Sequence, residues 1–175
     1  MPVGTPKKTI RRAKTATLRS HRSIRTRKHP ARSGKVSYVV SQVPHRRQRY
    51  DTVGDWIPGE PVRIHVSKMK DERYVFLVAL HELIEYELCR MNGITDREVA
   101  EFDTIFENER RARLHSLEAE PGNDPRAPYR DEHGFATMIE RMVAQKMGVS
   151  WPAYERTIVS LSPFSRAGIK PLIGN

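Results

Sequence analysis

The reading of the fold turns on one stretch: Asp71-Glu72-Arg73-Tyr74-Val75-Phe76-Leu77-Val78-Ala79-Leu80-His81-Glu82-Leu83-Ile84-Glu85-Tyr86-Glu87-Leu88-Cys89-Arg90-Met91-Asn92-Gly93. Phe76, Leu77, Leu80, Leu83, Ile84, Leu88 and Met91 recur at helical spacing. An acid opens the run, where it meets the positive end of the helix dipole, and Asn92-Gly93 is a C-terminal stop. The segment therefore predicts a long helix. His81 and Glu85 stand one turn apart on a shared face at the border of the apolar stripe, and Glu82 points further round.

Upstream, the pattern changes to strands. Val36-Ser37-Tyr38-Val39-Val40-Ser41-Gln42-Val43 concentrates β-branched and aromatic residues and ends at Pro44. Tyr50 to Trp56 is a weaker extended segment, and Pro58-Gly59 marks a turn before Val62-Arg63-Ile64-His65-Val66-Ser67, which alternates apolar and polar. Downstream, Thr95-Asp96-Arg97-Glu98 reads as a capping box opening a helix to roughly Leu117. Pro121 through Pro128 is a loop, Asp131 to Met147 a third amphipathic helix closed by Gly148, and Trp151-Pro152 starts a short last helix. The expected fold is α+β: a small antiparallel sheet followed by three main helices, with a cleft between the first and third.

Composition divides the chain. Its 175 residues, 38% hydrophobic and 30% charged, suit a single core. The formal charge is +10, yet residues 1–50 hold 15 Lys or Arg and no acid, leaving residues 51–175 at net −5. Residues 1–34, with almost no apolar periodicity, read as a disordered basic arm, residues 35–160 as the domain and residues 161–175 as an irregular tail. Lys7, Lys8, Arg11, Arg12, Arg25, Arg27 and Lys28 could neutralise phosphates and attach the chain to nucleic acid without reading its sequence. A transit peptide or a functionless extension has the same composition. Cys89 is the only cysteine, which excludes an internal disulfide framework and a cysteine-based zinc cluster and points to a reducing compartment. No apolar run is long enough for a membrane span, so the expectation is a soluble chain.

The chemistry centres on Leu80-His81-Glu82-Leu83-Ile84-Glu85. In HExxH metallohydrolases the two His bind zinc, and the intervening Glu takes a proton from metal-bound water. Here Glu85 replaces the second His, and a carboxylate is an ordinary zinc ligand. The expected set is then His81, Glu85 and His133 on zinc or a similar divalent ion, with Glu82 as general base. His133 lies at the edge of an apolar stripe formed by Phe135, Ile139, Met142 and Val143. Glu132 and Glu140 are outer hydrogen-bond partners or alternative ligands. Asp103 and Glu107, one turn apart, form a rival carboxylate pair that reads as a solvated face.

Arg49-Tyr50-Asp51-Thr52-Val53-Gly54-Asp55-Trp56, Leu80 to Glu85, Phe102-Asp103, Ala127-Pro128-Tyr129 and Glu132-His133 together resemble a group of uncharacterised phage and prophage proteins over about residues 36–155. The order of strand then HExx helix is also similar to the minimal zincin metalloprotease core. These resemblances imply a phage source, a cytoplasmic location in the host, a zincin-like fold and a metal-dependent, peptidase-like hydrolase. The alternative is a non-catalytic phage accessory or structural protein whose basic arm touches nucleic acid.

Overall fold

The computed structural model describes residues 36–116 and 118–162. The 1–34 arm and the tail beyond Ser162 lie outside the described residues. Three strands, β1 (Tyr38–Val43), β2 (Gly54–Ile57) and β3 (Val62–Ser67), precede four helices, α1 (Glu72–Asn92), α2 (Asp96–Arg111), α3 (Arg130–Lys146) and α4 (Trp151–Leu161). The class is α+β, but the sheet is mixed, not antiparallel. Its order is β1-β3-β2, with β2 antiparallel and β1 parallel to β3. Two successive chain reversals give β1 and β3 the same direction. β3 takes the centre because Val62, Ile64 and Val66 are at most 1% exposed and need cover on both sides.

α1 begins where expected: the Asp71 side chain accepts from the backbone N–H of Arg73 at 3.0 Å. It ends at Gly93, whose φ of +75° suits a residue without Cβ. Its buried residues are Val75, Leu77, Val78, Ala79, His81, Glu85, Tyr86 and Cys89, whereas Phe76 and Met91 are exposed. The predicted stripe is thus displaced, because α1 packs against β2 and β3 on one flank and α3 on another. His81 and Glu85 lie within this packed interface, not at its border.

α2 carries the capping box in full: Thr95 Oγ1 accepts from Glu98 N at 3.3 Å and Glu98 Oε2 from Thr95 N at 2.7 Å. It stops at Arg111, short of the expected Leu117. Arg113 adopts φ +63°, and the chain folds back so that His115 stacks on Phe106 at 4.0 Å and bonds Glu109 at 2.7 Å. No glycine announces that reversal. α4 reaches Leu161, and the Ser162 hydroxyl donates to Asp51 at 2.8 Å, so the first two residues of the predicted tail belong to the folded body.

α3 departs furthest from expectation. Phe135 and Met142, placed in its apolar stripe, are 47% and 62% exposed. The buried residues are instead Glu132, His133, Ala136, Glu140 and Ala144. Small Ala136 and Ala144 leave space on the inner face for polar side chains that pair across to α1. No helix among the described residues is long and apolar enough to cross a membrane.

Candidate metal centre

His81 and Glu85 project from α1 and His133 from the first turns of α3, and the close packing of these helices brings the three together. His81 Nε2 lies 3.3 Å from Glu85 Oε2 and 3.2 Å from His133 Nδ1, and His133 Nδ1 lies 3.0 Å from Glu85 Oε2. All three are at most 9% exposed. Among the described residues, this is the group of His and acidic side chains whose ligand atoms are close enough to hold one metal ion. The three side chains are buried where α1 and α3 pack together. A cavity of about 400 Å³ lies along another face of α3, lined by Gly134, Thr137, Met138, Arg141, Met142 and Gln145.

Each of the three has a further partner at its other polar atom. His81 Nδ1 is 3.0 Å from Glu140 Oε2, and the Tyr154 hydroxyl donates to Glu140. His133 Nε2 is 3.2 Å from Glu120 Oε2, and Trp56 Nε1 donates to Glu85 Oε1 at 3.2 Å. Such outer contacts select the imidazole tautomer and fix the ring plane. Two glycines make room. A Cβ at Gly122 would overlap the His133 ring, and one at Gly54 would overlap the Glu82 carboxyl group.

Electrostatics follow from this packing. Burial opposes the charged form of His133, but hydrogen bonds to Glu120 and Glu85 outweigh it and hold the pKa up at about 9. His81 is likewise raised well above its usual value, against burial, by Glu140 and Glu85. Burial would lift Glu85, yet the two imidazoles bring it down to about 2. Glu82 is raised well above the usual carboxylate range by burial and by the Glu85 charge. A divalent ion at the cluster would oppose that shift by supplying positive charge.

The remaining predicted residues divide clearly. Glu140 sits behind His81, while Glu132 faces away from the cluster and accepts from Asn92 Nδ2 at 2.7 Å. Asp103 and Glu107 are not a solvated face: they are 5% and 2% exposed. Tyr129 donates to Asp103 at 2.5 Å, Tyr50 also bonds it, and Arg110 pairs with Glu107 at 3.0 Å. Lys7, Lys8, Arg11, Arg12, Arg25, Arg27 and Lys28 lie outside the described residues. Sequence reasoning missed Trp56, Glu120 and Tyr154, which occur on three separate elements with no shared spacing. Glu120 immediately before the Pro121-Gly122 turn was the nearest thing to a signal.

Comparison of the chain with protein-family models, curated proteins and solved structures finds no match.

Burial pushes Asp103 up from 3.8 to about 6. Ionising it therefore carries a destabilising cost, absent below about pH 4 and fully present above about pH 6. In metal-free protein, Asp103→Asn should become progressively more stabilising relative to wild type across that window, by up to about 3 kcal/mol. Urea unfolding at pH 3.5 and pH 7.5 measures the difference, and a pH-independent effect would contradict the assignment.

Proposed function

We propose that this chain is a zincin-like metal-dependent hydrolase of phage type. His81 Nε2, Glu85 Oε2 and His133 Nδ1 would hold zinc or a similar ion, which would supply an activated water, and Glu82 would serve as general base. The observation that carries this reading is the spacing of the three ligand atoms. Ligands about 2.0–2.1 Å from a tetrahedral zinc stand roughly 3.3 Å apart, and these atoms are separated by 3.0 to 3.3 Å. The carboxylates behind both imidazoles support it, since they make the rings stronger donors to a cation. Two His and one Glu are a ligand set with which a bound zinc would supply water activation for amide hydrolysis.

Purified protein should carry about one zinc per chain by elemental analysis, with His81→Ala and Glu85→Ala each losing most of it. Chelation should lower the melting temperature, because an ion bound to the native state is linked to folding. Glu82→Gln should keep the metal and lose roughly 10²–10⁴-fold in turnover. Metal below stoichiometry in both purified and zinc-reconstituted protein would overturn the reading.

Charge distribution favours a second role beside this one. With 15 basic residues and no acid, residues 1–50 suit sequence-blind attachment to nucleic acid, while residues 51–175 carry net −5. Full-length protein should bind DNA or RNA with affinity that falls steeply with salt, and deletion of residues 1–34 should weaken it sharply. Binding unchanged by the deletion would remove the arm from this role.

A further inference from the structure

Among the described residues β2 is an edge strand, and it runs beside the candidate metal centre: Gly54 lies under the Glu82 carboxyl group and Trp56 donates to Glu85. An extended peptide that joined the sheet there would cross the site as an added strand, using the outward-facing backbone groups of β2. Those groups can be identified. Val53 O accepts from Ser67 N at 2.7 Å, so Val53 faces β3, and by alternation Gly54 and Trp56 face outward.

Both outward carbonyls are already taken by this chain's own side chains. Thr52 Oγ1 donates to Gly54 O at 2.6 Å, and the Arg49 guanidinium donates to Trp56 O at 3.1 Å. Arg49 is itself anchored, with two bonds to Asp55 at 2.6 and 2.7 Å and a further pair to Asp96 at 2.9 and 3.3 Å. Asp55 is 2% exposed, so releasing Arg49 would strand a buried carboxylate. Gly122 closes against His133 from the loop before α3.

Resting on the metal-centre reading above, we propose that the site takes compact substrates, small amides or esters anchored through the reacting group, and that Arg49 and Thr52 bar an extended polypeptide from β2. The substrate class follows from which backbone groups remain: with both outward carbonyls bonded within this chain, an added strand keeps at most the outward N–H groups of Gly54 and Trp56, and chain length beyond the reacting group adds little.

The test uses full-length protein loaded with cobalt(II), whose visible absorption reports ligands at the metal. Acetohydroxamate and trialanyl hydroxamate are titrated in turn. In wild type the two affinities should agree within about threefold. In Arg49→Ala the longer probe should gain about tenfold, the worth of one or two restored backbone hydrogen bonds, with acetohydroxamate unchanged. Thr52→Val provides a second, milder opening should Arg49→Ala unfold. A wild-type preference of about tenfold or more for the trialanyl probe overturns the proposal, as does an unaltered ratio in folded variants. Absence of any cobalt band overturns the metal centre itself, a separate and earlier failure.

Discussion

The contact of His81, Glu85 and His133 across the α1–α3 interface governs much of what surrounds it. Burying two imidazoles and a carboxylate is tolerable only when each is paired and its remaining hydrogen-bonding capacity is met. That requirement explains why α3 turns Glu140 and His133 inward and leaves Phe135 and Met142 outside. It also explains the small residues near the interface: Ala136 and Ala144 admit the polar groups, and Gly54 and Gly122 give way to the Glu82 carboxyl and the His133 ring. Removing one member would strand the others, a loss of roughly 3–5 kcal/mol for a buried pair.

Local signals made the helices legible in the sequence. Asp71 and Gly93 bound α1, and the Thr95 to Glu98 capping box opens α2, because caps are decided by neighbouring backbone groups. The strand order was not legible: parallel pairing of β1 with β3 depends on which strand takes the buried centre, a property of the assembled sheet. Burial in α3 was misread for a related reason. Hydrophobic periodicity ranks Phe135 above Glu140, whereas the fold ranks them by whether α1 offers a partner. The same blindness made Asp103 and Glu107 look like a solvated face, since the tyrosines and the arginine that satisfy them are not all neighbours in sequence.

The trio His81, Glu85 and His133 was legible as candidates because helical spacing fixes which α1 residues share a face and because His beside acids is rare in this chain. Of their supports only Glu140 was legible, since Trp56, Glu120 and Tyr154 converge from β2, the loop before α3 and α4. A cation at the centre would complete the charge pattern that these supports create. Two imidazoles held between Glu85, Glu140 and Glu120 are drawn toward their protonated forms in its absence, and a divalent ion supplies the positive charge while leaving both rings neutral. On this account Glu82, pressed against Gly54, is the acid left over for chemistry.

Anomalous diffraction at the zinc absorption edge, from crystals of zinc-saturated full-length protein, tests this account most directly. It predicts one strong peak within about 2.2 Å of His81 Nε2, Glu85 Oε2 and His133 Nδ1 together. A peak elsewhere, on the Asp103 and Glu107 face of α2 for example, or no ordered zinc at saturation would contradict it.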